Sequence, residues 1–212
     1  MTTSSHHTFD RAYWEQHWDE SILRGSHRTP PHPHPETFLS DLAPGTALEA
    51  GCGTGAEALW LAEHGWRVTG ADISAGALAV AADRARAAGV ADRTTWIEAD
   101  LGTWVPEAGF DLVSTHFAHP AMPQLDFYRR IAEWVAPGGT LFIAGHATGH
   151  HGNHPDANAH PVEATATIEG IIALLPANEW RIVAAEEVEL ASVHADAPTH
   201  RRDVVVRASR IG

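Results

Sequence analysis

Three things are scarce in this chain. It has a single cysteine, Cys52, in 212 residues. An intrachain disulfide is therefore excluded, and a reducing compartment fits. Basic residues are few: 14 Lys and Arg stand against 27 Asp and Glu, a net charge of −13. Nucleic acid and anionic membranes need a basic face, so both are disfavoured as partners, whereas a small or cationic ligand is compatible. No apolar run reaches the ~18 residues of a membrane-spanning helix. Residues 1–8 are polar and lack the apolar centre of a signal peptide, so the cytoplasm is the expected location. What is present is ordinary globular composition, 44% apolar and 19% charged, with the length of one domain. The unusual count is 16 histidines, which makes net charge steeply pH-dependent between about pH 5.5 and 7.5.

The chain is organised around residues 46–56. A short apolar strand leads into Gly51, Gly53 and Gly55 at alternate positions, and a helical pattern follows from Ala56 to His64. Glycines allow positive φ and close approach of a ligand, and a helix N-terminus presents free N–H groups at the loop. Gly51, Gly53 and Ala56 satisfy the permissive dinucleotide pattern G-x-G-x-x-G/A, a weak match by itself. Glu49 argues against a pyrophosphate, because a carboxylate at the strand end repels an anion.

The stretch Glu49-Ala50-Gly51-Cys52-Gly53-Thr54-Gly55 resembles the E-x-G-x-G-x-G signature of class I S-adenosylmethionine (SAM) methyltransferases. Their cofactor carries a sulfonium and an amino-acid tail but no phosphate. The resemblance is strong over residues 44–145, where Phe110-Asp-Leu-Val113 and Pro137-Gly138-Gly139 also follow the family. It implies a Rossmann-like α/β/α sandwich with a seven-stranded, mostly parallel sheet of order 3-2-1-4-5-7-6 and an antiparallel last strand. Residues 1–43 are then an N-terminal lid and connector, and 44–212 the methyltransferase domain.

In chain order, helices are expected over 9–24, 36–42, 56–64, 75–88, 125–135 and 162–175. Strands are expected over 46–50, 66–72, 94–101, 109–115, 140–144, 180–188 and 202–208, the last two as an antiparallel hairpin. Four prolines make 25–35 an extended connector. Pro137-Gly138-Gly139 reads as a turn before the fifth strand, and 146–161, with His146, His150, His151, His154 and His160, as a loop. Phe9, Tyr13, Trp14, Trp18 and Ile22 form an aromatic stripe that either packs on the core or closes as a lid. Trp14-x-x-x-Trp18 is similar to the N-terminal segment of the thiopurine and thiol methyltransferases, where aromatics close over SAM.

Asp72 lies 21 positions after Gly51, close to the spacing of an acid that binds ribose hydroxyls; a helix N-cap is the structural alternative. Carried over from the family, the SAM-binding residues are Tyr13, Trp18, Glu49, Gly51, Cys52, Gly53, Asp72, Ile73, Asp100, Leu101, Thr115 and His116. Asp100 would accept from the adenine amino group, with Leu101 as backbone donor and apolar wall. His116, His119 and His146 follow the fourth and fifth strands, and their pKa suits a general base, although each also suits a pocket wall. The histidines of the 146–160 loop lack a known zinc spacing, so no metal is assigned. Cys52 is read as packing, without a covalent role.

The expected function is methyl transfer from SAM to an oxygen or nitrogen, possibly sulfur, of a small molecule by a monomer or homodimer. The alternatives are an NAD-type oxidoreductase and a non-catalytic SAM- or metal-binding regulator.

Overall fold

The computed structural model describes residues 9–25, 29–148, 164–194 and 197–212. Among the described residues, eight strands form one sheet: β1 (Thr46–Ala50), β2 (Arg67–Asp72), β3 (Thr94–Glu98), β4 (Phe110–His116), β5 (Val135–Ala147), β6 (Thr165–Ala166), β7 (Trp180–His194) and β8 (Ala197–Arg210). The order is β3-β2-β1-β4-β5-β8-β7, with the two-residue β6 paired to β5 beside this path. β1 to β5 are parallel, β8 runs antiparallel to β5, and β7 antiparallel to β8. With β6 set aside, this is the order implied by the family signature; the extra strand is the correction. β1 pairs with β2 on one side and β4 on the other, so the order reverses between β1 and β4. The carboxyl ends of the two strands diverge there and open a crevice.

Helices on both faces explain why the middle of the central strands, Ala47-Leu48, Leu112-Val113 and Leu141–Ala144, is apolar on both sides. α1 (Arg11–Leu23) lies at the strand ends, while α2 (His34–Leu39), α3 (Ala56–Glu63), α4 (Ala75–Ala88), α5 (Gln124–Ala132) and α6 (Ile168–Ile172) cover the sheet. One core packs Phe127, Ile131 and Ile171 against Leu48, Val113, Leu141 and Ile143. The other packs Leu39, Leu59, Leu61 and Ala85 against Ala47, Leu112 and Phe142. Successive strand residues thus feed opposite faces, as a sheet covered on both sides requires. Each fully buried large side chain contributes about 1.5–3 kcal/mol of transfer free energy.

Local chemistry sets the boundaries. Ser74 caps α4 by accepting from Ala77 N–H, and Gly89 ends it in the left-handed region at φ 74°. Several expected boundaries move: the helix expected over 125–135 ends at Ala132, where β5 soon begins, and the strand expected over 94–101 ends at Glu98. α2 begins at His34, inside the expected connector, because a proline is tolerated in a helix's first turn, here Pro35. Pro137-Gly138-Gly139 is a bulge within a longer β5, as the register passes from Phe110–Val135 to Leu112–Thr140. The expected helix over 162–175 shrinks to α6, preceded by β6, with 162–163 outside the described residues. The hairpin β7–β8 continues beyond the apolar segments at 180–188 and 202–208, since backbone pairing does not require apolar side chains. The loop histidines 150, 151, 154 and 160 lie outside the described residues, whereas His146 sits on β5.

Candidate active site

A cavity of about 580 Å³ occupies the crevice at the ends of β1, β2 and β4. Its floor is the loop 51–55. Gly51 N–H and Cys52 N–H donate to Ala71 O at 2.8 and 3.1 Å, which tightens the turn against β2. Gly51 has φ 79°, and a Cβ there would overlap Ala118 Cβ, so only glycine fits. Asp72 is buried, and its two oxygens accept from Gly53 N–H at 2.8 Å and Ser74 N–H at 2.9 Å. Ser74 is the N-cap of α4, which removes the N-cap alternative for Asp72. Burial raises the Asp72 pKa against the lowering effect of those N–H donors. A buried carboxylate at a cavity wall is therefore held in place by the backbone with further lone pairs to offer.

α1 spans this cavity. Asp10 caps the helix by accepting from Tyr13 N–H; none of the helix residues is fully buried, whereas Phe9, at the start of the aromatic stripe, is. The helix is tied at both flanks of the crevice. Arg11 donates to Glu98 and to Ile73 O, Glu15 accepts from Ser74 Oγ and Ala75 N–H, and Trp14 Nε1 donates to His119 O at 3.1 Å. The Trp18 ring lies over the glycine loop: a Cβ on Gly53 would come within 2.5 Å of Trp18 Cζ2.

The far wall is built from histidines and aromatics. His116 is buried; its Nδ1 lies 2.8 Å from Glu49 Oε1. Glu49 accepts through its other oxygen from the Ser114 hydroxyl. An ionised carboxylate only accepts, so Nδ1 carries the proton, and Nε2 has no hydrogen-bond partner among the described residues. Burial lowers the His116 pKa, but the Glu49 charge, the hydrogen bond to it and the Glu57 charge outweigh burial and raise it overall. His119 Nδ1 is 3.1 Å from Gln124 Oε1, and its ring stacks 5.4 Å from that of His146. Phe117, in contact with His146 at 4.8 Å, takes φ 56°, a left-handed conformation that costs a bulky residue about 1–3 kcal/mol. Such strain clusters at functional walls.

The comparisons with known proteins match this geometry. The family model described as "Methyltransferase domain" matches residues 47–139. Methyltransferase GfsG of Streptomyces halstedii is 40% identical over 46% of this chain and 36% of its own. Thiocyanate methyltransferase 1 of Brassica oleracea is 29% identical over 70% of this chain and 68% of its own. Among solved structures, the N-methyltransferase NodS of Bradyrhizobium japonicum, in complex with S-adenosyl-L-homocysteine, superimposes with TM-score 0.62 at 21% identity, covering 93% of this chain and 98% of NodS; this likeness concerns the fold. The chain spans 32%, 36% and 50% of the length of three of the curated relatives it matches.

Residues 47–139 match a methyltransferase domain by sequence, the SAM-dependent family whose glycine signature this chain resembles. Its cofactor is SAM, and the NAD alternative is set aside. The methyltransferase cavity fits that cofactor. Among the described residues lining it, Arg11 is the one Arg or Lys, and it is committed to Glu98 and Ile73 O, so nothing balances a pyrophosphate. Asp72 suits ribose hydroxyls, and the aromatic faces of α1 suit a sulfonium.

Of the expected site residues, Tyr13, Trp18, Gly51, Cys52, Gly53, Asp72, Ile73, Asp100, Leu101, His116, His119 and His146 all line the cavity. Two do not. Glu49 is buried behind His116 with both oxygens engaged, and Thr115 is buried with its hydroxyl donating to Ala50 O at 2.8 Å, which ties β4 to β1. Burial, then the Asp72 and Glu49 charges, push the Cys52 thiol well above its ordinary pKa, the reverse of a reactive thiolate. Sequence reasoning missed Phe117, whose backbone state has no sequence signal, and Arg11, whose partners are 62 and 87 positions away. It also missed the Glu49–Ser114–His116 group. Ser114 and His116 alternate onto one face of β4, and Ser114 pairs in register with Glu49, so the group is legible once register is known.

Proposed function

We propose that this methyltransferase transfers the SAM methyl to the oxygen or nitrogen of a small molecule that enters bearing a proton, with His116 as general base. The observation that carries the reading is the buried His116, protonated toward Glu49 at Nδ1 and unpartnered at Nε2 on the cavity wall. SAM supplies a methyl group on a cationic sulfur. The chain's residues do the rest: α1 excludes water, Phe117, His119 and His146 bound the acceptor, and His116 Nε2 takes up the acceptor proton. Glu49 holds the imidazole in the correct tautomer and stabilises its charged form. A positioned base contributes about 10²–10⁴ in rate.

Several features support a small acceptor. The cavity is bridged by α1, its volume lies within the ~300–1,000 Å³ of small-molecule sites, and the net charge of −13 disfavours nucleic acid. No described helix is long and apolar enough to cross a membrane. A cytoplasmic monomer or homodimer fits this reading. The test is methyl transfer to a panel of phenols, amines and thiols over a pH series. Transfer to a hydroxyl or amine, rising with pH through one ionisation and lost in His116→Ala, is expected.

A sulfur anion is the second reading, favoured by the thiocyanate methyltransferase relative and the aromatic lid. It needs no base, so transfer to thiols that His116→Ala leaves unchanged would select it and refute the first.

A further inference from the structure

A cluster of ligating side chains lies outside the cavity. The proline-rich connector places His32 just before α2 and His34 at its start, and both reach Asp203 of β8. His34 Nε2 is 3.1 Å and His32 Nε2 3.5 Å from the same carboxylate oxygen, Asp203 Oδ2. The two imidazole centroids are 4.0 Å apart, and one ligand atom from each of the three residues lies within 4.8 Å of the others. His34 and Asp203 are buried, and the His32 side chain is 15% exposed.

Two imidazoles and a carboxylate are a donor set for a borderline divalent transition ion. Ligands at ~2.0–2.1 Å around tetrahedral zinc stand about 3.3–3.4 Å from one another. The two measured separations bracket that edge length, so the donors are close to coordinating distance before an ion enters. Pro31, Pro33 and Pro35 alternate with the two histidines and limit the backbone freedom that binding would remove. The partly exposed His32 leaves a route inward from solvent.

We infer that His32, His34 and Asp203 form a binding site for one zinc-type divalent ion. None of the three lines the cofactor cavity; the Phe117 ring stands between, 5.3 Å from His32 and 4.8 Å from His146. The ion therefore acts on architecture. It pins the connector that follows the lid helix to the last strand of the sheet. That connector also holds to the body through Arg84 to Thr29 O at 3.0 Å and His32 N–H to Glu57 Oε1 at 3.0 Å, and both Thr29 and Glu57 line the cavity. An ion bound to the folded state alone stabilises it by mass action.

The test uses the full chain, chelator-stripped, then given zinc or cobalt(II) without SAM, so its outcome is independent of the cofactor and acceptor readings. Bound metal, the cobalt visible spectrum and thermal stability are read together. One tightly held ion per chain, a low-coordinate cobalt spectrum and a raised Tm are expected. All three should vanish in His32→Gln and Asp203→Asn, and all should persist when His150, His151 and His154 are together changed to Ala. His32→Gln, at the most exposed ligand, keeps the test valid if Asp203→Asn does not fold, with circular dichroism as the check. No retained ion, an ion unaffected by His32→Gln, or an ion lost with the loop histidines would overturn the assignment.

Discussion

The two ends of the cavity are built by different means. At the end we assign to the cofactor the groups are backbone N–H donors, glycines and the carboxylates of Asp72 and Asp100, all close to a strand end. At the acceptor end they are side chains of β4, β5 and the segment after β4, held by a second layer: Glu49 behind His116, and Gln124 behind His119. The first end depends on local chain geometry and tolerates little change in the backbone. The second depends on tertiary register, and its individual side chains can change without disturbing the glycine loop. Cofactor binding and turnover should therefore be separable by mutation.

The largest effect is expected at the acceptor end. His116→Ala should lower turnover by about 10²–10⁴, the range for a positioned base, while SAM affinity stays within about threefold. Comparable losses in both would erase the distinction between the ends. Asp72→Ala should do the reverse, weakening SAM binding by about 1.5–3 kcal/mol through lost charged hydrogen bonds. Calorimetric titration measures it, and unchanged affinity would remove Asp72 from the cofactor end. Trp18→Ala, which removes the ring over Gly53, should cost about 0.5–2 kcal/mol in SAM affinity.

The smallest effect is a pH signature. His116 has its pKa raised in the folded state, so its pairing with Glu49 contributes stability that is full below about pH 6.5 and lost as pH rises through the raised value. The stability of the wild type relative to His116→Gln should shrink over that window in denaturant titrations. The activity limb should run the other way, appearing as Nε2 becomes free to accept a proton, with its inflection above the ordinary histidine value. A flat stability difference would mean that the pair is not charged.

The same division decided what could be read from the amino-acid order. Gly51, Gly53, Asp72 and Asp100 were legible as positions around the cavity because strand, turn and helix follow one another there. The sheet order followed from the resemblance. His116, His119 and His146 were legible as positions after strands, but their partners were not. Glu49 looked like a cofactor contact because it sits in the glycine signature, yet register across β1 and β4 turns it toward His116. The bulge at Gly138 looked like a turn because its residues are the same in either setting. His32 and His34 were absorbed into a connector, since His34 meets Asp203 across 169 positions and the cluster follows from neither spacing nor composition.

The separability of the two ends is tested most directly by titrating S-adenosylhomocysteine, SAM and NAD into the wild type and His116→Ala in a calorimeter. Separable ends require micromolar binding of both adenosyl ligands to both proteins and none of NAD. Loss of adenosyl binding in His116→Ala with the fold intact, or binding of NAD in their place, would contradict it.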